Sequence, residues 1–239
     1  MKKLICAVSA VVLSSAALAQ EALAPEQHWI TPLEVGIASP IQFPSPSWRV
    51  DGIRFDLFFG DSYEVNGIDF GLVGRTRNDL CGIALNAFNW NDDSVYGVQL
   101  GALANVVLDS AYGVQFGGLV NYNYNEMNGL QFGLVNHNGS FYGVQFGLLN
   151  ANKGVSYGGQ LGLVNIDVNE FNGAAFGLVN WSARTTGAQF GFVNVCNIGS
   201  GFQLGAFNAA ETFDGVQIGL VNIIQKGALP IMCIANANF

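Results

Sequence analysis

An eight-residue motif that recurs every 14 to 16 residues constrains this chain more than any other feature. Its most regular copy, GVQFGLLN, occupies Gly143–Asn150. The twelve copies, close and loose, begin at Gly52, Gly67, Gly82, Gly97, Gly113, Gly129, Gly143, Gly158, Gly173, Gly187, Gly201 and Gly215. A repeat of nearly fixed period predicts that copies of one supersecondary unit are stacked on each other. The repeat is therefore a stronger indication of the architecture than the secondary-structure propensity of any single segment.

Within each copy, apolar residues alternate with glutamine or glycine. If the first glycine is position 0, positions 1, 3 and 5 are apolar, as in Val144, Phe146 and Leu148. Position 2 is usually glutamine, position 4 glycine and position 7 asparagine. This alternation predicts a β-strand. The residues between copies are more polar and rich in turn formers.

We predict an all-β chain folded as a β-solenoid of about twelve coils of 14–16 residues. The period is one unit, with no difference between odd and even copies, as expected when coils stack in parallel. Stacking would place Asn136, Asn150 and Asn165 in one row, where side-chain amides hydrogen-bond along the stack. One extra residue in each of two adjacent copies, at Ala102 and Gly118, also fits coils that lie on each other. In this interpretation positions 1, 3 and 5 point inward, and glutamine faces outward or forms a ladder.

The alternative is an antiparallel up-and-down outer-membrane β-barrel, which could serve as a channel. Alternating apolar residues at Ile231–Phe239 resemble a last barrel strand, and twelve units with two end strands give an even number. Against it, positions 1 to 5 extend only ~14 Å. The apolar band of an outer-membrane barrel is about 25 Å tall.

The ends of the chain differ from the repeats. Lys2 and Lys3 precede an apolar run that ends in Ala-Leu-Ala, which predicts a signal peptide over residues 1–19 with cleavage after Ala19. We assign residues 20–51 to an N-terminal cap segment, 52–222 to the repeat array and 223–239 to a C-terminal cap. Repeat arrays need such caps to cover their outermost faces.

Composition excludes some classes of function. Half of the residues are apolar, 11% are charged, and the net charge is −8. An acidic chain does not bind nucleic acid by phosphate contacts. Cys81, Cys196 and Cys233 fit no zinc spacing, and we interpret them as small apolar residues, with one disulfide as the lesser alternative.

Few residues are candidates for chemistry, and we predict no catalytic, cofactor-binding or metal-binding residue. His137 follows a motif asparagine, and we expect it to stack on the surface rather than act as a base. Asp92, Asp93 and Asp109 lie in turn segments, where solvated acids are expected rather than a Ca²⁺ site. Asn138 and Asn180 begin the glycosylation sequences NGS and NWS, to which a bacterial export context gives little weight. Exposed tyrosines and Trp181 are a candidate contact strip.

The motif and the segments at its ends together resemble a largely uncharacterised bacterial surface-repeat family. The resemblance rests on PLEVGIASPIQFPS at 32–45, VDGIRFDLFFG at 50–60, NGIDFGLVGRT at 66–76 and GVQIGLVNIIQKGALPI at 215–231. It implies a cell-envelope location and a non-catalytic role, and it supplies no functional residues. The early copies depart from the pattern, since Asn86 replaces the usual glycine and Gly74 the usual asparagine.

The predicted function is therefore that of an exported, non-catalytic repeat protein of the bacterial cell envelope, located at the cell surface, outer membrane or periplasm. Its role would be structural or one of surface interaction, because repeats present long surfaces. The expected partner is an unknown protein, glycan or envelope component, with a possible outer-membrane association, no nucleic acid and no cofactor.

Overall fold

The computed structural model describes residues 28–239, so the predicted signal peptide lies outside the described residues. This part of the chain is all-β and forms a β-solenoid of about 13 turns. The strands are β1 (Ile30–Ala38), β2 (Ile41–Phe43), β3 (Arg49–Ser62), β4 (Glu64–Thr76), β5 (Leu80–Asn91), β6 (Val95–Val107), β7 (Ala111–Phe146), β8 (Leu149–Asn152), β9 (Val155–Leu161), β10 (Val164–Leu204), β11 (Phe207–Ile224) and β12 (Ile231–Asn238).

Successive copies of the motif pair in parallel and in register, which confirms the predicted solenoid. Gly143 is paired with Gly158 and Gln145 with Gln160, so each position lies on the same position of the next coil. An up-and-down barrel requires antiparallel neighbours, so the barrel alternative is wrong. The extra residues Ala102 and Gly118 also stack, since a Cβ on Gly118 would lie 2.0 Å from the carbonyl oxygen of Ala102.

In three coils a bend separates two short strand segments, at Gly147–Leu148, Gly162–Leu163 and Gly205–Ala206. In the coil that begins at Gly143, the first segment ends at Phe146, the chain bends at Gly147–Leu148, and β8 forms the second segment. A turn at Lys153–Gly154 then leads into the next coil. The bend after position 3 and the turn at positions 10 and 11 are therefore the two edges of the solenoid. We call them the motif corner and the turn edge.

The pairing changes direction at both ends of the described chain. At the start, β1 continues the parallel stack beside β3, and β2 pairs antiparallel with β1. At the end, β12 pairs antiparallel with β11, with Gln217 opposite Asn236. β12 thus supplies backbone hydrogen-bond partners to the exposed edge of the last coil, where an additional coil would otherwise pair.

The interior of the solenoid is largely polar, which overturns the expectation that positions 1, 3 and 5 point inward. Gln145 and Asn150 have no exposed side-chain surface, whereas Phe146 is 36% exposed and Leu148 50%. The buried positions are 2, 7, 9 and the residue two before each first glycine. Alternation divides a strand into two faces but does not determine which face is buried.

Ladders of side-chain amides allow this polar interior to form. The position-7 asparagines donate from Nδ2 to Oδ1 of the next coil, at 2.8 Å from Asn136 to Asn150 and 2.8 Å from Asn150 to Asn165. The ladder is continuous through Asn89, Asn105, Asn121, Asn136, Asn150, Asn165, Asn180, Asn194, Asn208 and Asn222. Each amide meets its partner in the next coil, so burial leaves few of these groups unpaired.

The glutamines form a second ladder, which runs in the opposite sense. Gln145 donates to Gln131 at 2.9 Å, and Gln131 to Gln115 at 3.0 Å. Gln131 also exchanges two hydrogen bonds with Asn138 at position 9, at 3.1 and 3.0 Å. These bonds cross the interior and join the two strand segments of one coil.

Glycine at position 4 provides space for the asparagine ladder. A Cβ on Gly147 would lie 2.7 Å from Nδ2 of Asn136 and 2.9 Å from Oδ1 of Asn150. Asn136 Nδ2 also donates to the carbonyl oxygen of Phe146 at 2.9 Å. The asparagine therefore fixes the motif corner of the next coil in addition to its ladder bond.

The apolar part of the interior is formed by the residue two before the first glycine in several coils, together with a few residues at positions 2 and 9. Seven buried residues form the larger cluster: Leu80, Ala84, Val95, Val107, Ala111, Met127 and Phe141. A smaller cluster near the last coils comprises Cys196, Ala210, Phe213 and Ile224. The core is therefore narrow, and most of the large apolar side chains lie outside it.

Candidate functional site

The candidate functional site is a continuous apolar surface on the outside of the solenoid, which we call the apolar band. It consists of positions 1, 3, 5 and 6 of the twelve motif copies, where position 6 directly precedes the position-7 residue. At ~4.8 Å per coil and about 3.3 Å per residue, the band measures on the order of 58 by 16 Å. Its area of roughly 900 Å² exceeds the largest apolar patch of a typical soluble monomer, about 300–600 Å².

Position 5 at the motif corner is the most exposed row of the band. Leu148 is 50% exposed, Phe192 65% and Leu220 75%. Side chains in a stacked row cover each other above and below, so such values mean that the outward side of each residue is open. Exposed residues in contact along the whole length of a protein indicate a contact surface rather than scattered surface leucines.

Stacked aromatic rings make parts of the band regular. At position 3, the ring centroids of Phe132 and Phe146 are 4.8 Å apart with planes 1° from parallel. Those of Phe176 and Phe190 are also 4.8 Å apart. This spacing equals the distance between coils, because in-register stacking places identical side chains on one another.

The residues just outside the band are often aromatic with a polar atom. On the first strand segment, directly before the first glycine, Tyr96 stacks on Tyr112 at 5.1 Å and Tyr142 on Tyr157 at 5.5 Å. On the second segment, at position 8, lie Trp90, Tyr122, His137 and Trp181. The candidate strip of tyrosines and Trp181 therefore forms two rows, one on each side of the band.

His137 is part of the second of these rows. Its ring stacks on Tyr122 with centroids 5.3 Å apart, as predicted for a stacked histidine. Burial lowers the pKa of His137 to about 4, and the nearby charge of Lys153 adds to the decrease. The imidazole is therefore neutral at pH 7 and contributes ring surface rather than charge.

The turn acids are engaged with neighbouring side chains. Asp92 pairs with Arg75 at 2.6 Å and accepts a hydrogen bond from Trp90 Nε1 at 2.6 Å. Asp109 accepts a hydrogen bond from Ser94 at 2.7 Å. Within residues 28–239, no three His, Cys, Asp or Glu side chains are grouped so as to hold a metal ion.

Both glycosylation sequences begin inside the solenoid. Asn138 is 0% exposed and Asn180 is 1% exposed, and each belongs to an amide ladder. A glycan on either nitrogen has no room in the folded chain, so these sequences are a consequence of the ladder pattern. Cys81, Cys196 and Cys233 are free thiols, and burial raises the pKa of Cys196 to about 12.

The first coils replace the glutamine ladder with buried charges. Arg54 and Asp69, both at position 2, form a two-bond ion pair at 2.7 and 2.6 Å. Glu34 lies nearby and accepts a bifurcated hydrogen bond from the Ser62 hydroxyl, whose Oγ lies 2.9 and 2.8 Å from the two carboxyl oxygens. Burial raises the pKa of Glu34 to about 8 and also raises that of Asp56. These departures from the motif coincide with the irregular early copies in the sequence.

The raised pKa of Glu34 predicts that the first coil loses stability as the pH rises. Between the ordinary value of 4.5 and about 8, the folded chain holds a proton on Glu34 that the unfolded chain has released. The contribution of Glu34 to stability is therefore fully present below 4.5 and is lost as the pH rises to about 8, by up to about tenfold in the folding equilibrium per pH unit. Amide hydrogen exchange of β1 at several pH values, corrected for intrinsic rates, measures this slope.

The variant Glu34→Gln should remove most of that slope, because glutamine does not titrate. Glu211→Gln is the matched control, since Glu211 lies at the surface in a salt bridge with Lys226. An equal slope in the Glu34→Gln variant and in the native chain would show that Glu34 is not the titrating group.

No helix within residues 28–239 has the length and apolar character needed to cross a membrane.

Searches against protein-family models, curated proteins and solved structures found no match for this chain.

Proposed function

We propose that this chain is an exported, non-catalytic repeat protein of the bacterial cell envelope, which acts by surface contact. The observation that carries this proposal is the apolar band, an exposed apolar surface that runs along twelve coils. A large exposed patch of this kind is typical of proteins that contact another protein or a membrane.

The way the repeats use their polar groups also supports a scaffold. The glutamine and asparagine side chains of the motif are buried and bonded mainly to one another or to backbone carbonyls. They hold the coils together and are not presented to a substrate. Solenoids of this kind supply length and surface, and each coil is stabilised chiefly by its neighbours.

Export is supported by the sequence of residues 1–19. A lysine pair, an apolar run and the Ala-Leu-Ala end have the order of a secretory signal. The resemblance to a bacterial surface-repeat family is consistent with the same location.

Fractionation of a Gram-negative host tests the proposal. We expect the chain in the envelope fraction, with a mass that corresponds to a first residue at Gln20. The variant Val12→Arg places a charge in the apolar run and should leave an unprocessed chain in the cytoplasm. An unprocessed native chain in the cytoplasm would contradict the proposal.

A further inference from the structure

The apolar band extends around an edge of the solenoid and is not confined to one flat face. Position 3, such as Phe146, lies on the first strand segment, and position 6, such as Leu149, lies on the second. Leu148 lies between them at the motif corner and is 50% exposed. A rigid partner with a flat surface covers only one side of such a wedge. A fluid apolar phase covers both sides and the corner together.

The two aromatic rows lie on the two sides of the wedge, at the level where it would pass from a fluid apolar phase into water. Tyr96, Tyr112 and Tyr157 are 45%, 37% and 47% exposed on the first side. Tyr122 and Trp181 occupy position 8 on the second side. Tyrosine and tryptophan prefer the boundary between acyl chains and water, because their rings are apolar and their hydroxyl or indole N–H needs a polar partner.

The backbone at the motif corner is already hydrogen-bonded between coils. Leu148 N donates to Leu134 O at 2.9 Å, and Leu163 N donates to Leu148 O at 3.0 Å. Gly147 N donates to Leu161 O at 3.0 Å. Backbone groups can enter a hydrocarbon phase only when they are satisfied within the protein, and these meet that condition.

Charge is excluded from the whole wedge. None of the residues at positions 1, 3, 5 and 6 in the twelve copies is Asp, Glu, Lys or Arg. The net charge of −8 gives no attraction to an anionic lipid surface. Membrane binding by this surface would therefore depend on apolar burial and not on salt.

We propose that the motif corner inserts into the acyl-chain region of one leaflet of a phospholipid bilayer, with the solenoid axis parallel to the membrane and the turn edge in water. From position 1 to position 5 the wedge is about 14 Å deep. One leaflet contributes roughly 15 Å of hydrocarbon. This inference rests on the proposed contact function and specifies phospholipid acyl chains as the partner.

Flotation with vesicles of pure phosphatidylcholine tests the insertion. The chain is purified from whichever fraction holds it, so that a failure of export and a failure of lipid binding are separate results. We expect it to float with the vesicles and to remain bound at high salt. The outcome that would overturn the proposal is a native, folded chain that stays at the bottom of the gradient.

Matched lysine variants locate the binding surface. Leu134→Lys, Leu148→Lys and Leu163→Lys together place three charges at the motif corner, and we expect at least about a tenfold drop in bound fraction. The control carries Val168→Lys, Asn169→Lys and Asn197→Lys at the turn edge and should bind like the native chain. Circular dichroism confirms that both variants are folded. Equal binding by the two variants would contradict insertion through the corner.

A second copy of the chain is the competing partner. Light scattering after removal of detergent distinguishes it, because a dimer has a defined mass and needs no lipid. The lipid proposal would be overturned if the native chain formed a stable dimer that does not bind vesicles, and if the three lysine substitutions at the motif corner dissociated that dimer.

Discussion

The variant Gly143→Ala is expected to destabilise the solenoid by about 4 kcal/mol, near the upper end for a single substitution. Gly143 has a φ of 140°, a conformation that residues with a Cβ rarely adopt. The added Cβ would also lie 1.9 Å from the carbonyl oxygen of Gly129 in the preceding coil. The obstacle is backbone, so no side-chain movement relieves it. Urea denaturation followed by circular dichroism measures the change.

The variant Gly159→Ala provides the matched control. A Cβ on Gly159 would meet only the methyl groups of Val144, at 3.6 and 3.8 Å, and alanine already occupies the same position at Ala174 and Ala188. We expect its stability to lie within about 0.5 kcal/mol of the native value. Equal effects of the two substitutions would mean that the first glycine is not required for close contact between coils.

The variant Asn150→Leu is expected to cost about 2–4 kcal/mol, because it interrupts the asparagine ladder at its centre. Asn150 Nδ2 donates to Asn165 Oδ1 at 2.8 Å and to the carbonyl oxygen of Leu161 at 3.2 Å. Leucine is close in size but has no donor, so these buried oxygens lose a partner. Because coils depend on their neighbours, the array should then unfold as two blocks rather than one. A calorimetric scan should detect two transitions.

Asn169→Leu is the control for that prediction, since Asn169 is exposed at the turn edge. We expect little change in its unfolding. A single transition at the native temperature in the Asn150→Leu variant would refute the idea that the ladder couples the coils.

Much of the architecture could be predicted from the sequence because the period is carried by every copy. Equal spacing without an odd–even difference indicates parallel stacking, and the structure confirms both the solenoid and the row of asparagines from Asn136 to Asn165. The stacked extra residues Ala102 and Gly118 were also predictable, because they occur at the same place in adjacent copies.

The direction of the side chains could not be derived from alternation alone. Assigning Val144 and Phe146 to the core follows the ordinary preference for buried apolar residues. That preference fails here because, in an in-register stack, each buried side-chain amide hydrogen-bonds to the amide of a neighbouring coil, as Gln145 does to Gln131. A signal was nevertheless present, since position 1 varies in size from Gly159 to Phe202, whereas position 2 is mostly glutamine. A narrow core tolerates little variation in volume.

The apolar band cannot be predicted from the sequence for the same reason, because the ordinary preference for buried apolar residues assigns its side chains to the core. The exposure of the tyrosines and Trp181 is predictable from the sequence, but their place on both sides of the band depends on the bend at Gly147–Leu148. The sequence does not reveal where a coil bends, since glycine at position 4 is equally compatible with a straight strand that packs closely.

The most direct test of the central claim, a polar interior under an apolar exterior, is the thiol reactivity of two adjacent residues. Ala174 is at position 1 and partly exposed, whereas Ala175 is at the glutamine position and 2% exposed. Ala174→Cys and Ala175→Cys are conservative and are made in a chain whose native cysteines are replaced by alanine. The account predicts that a maleimide labels position 174 in the folded protein and position 175 only after unfolding. Rapid labelling at 175 with protection at 174 would place the apolar residues inside and contradict it.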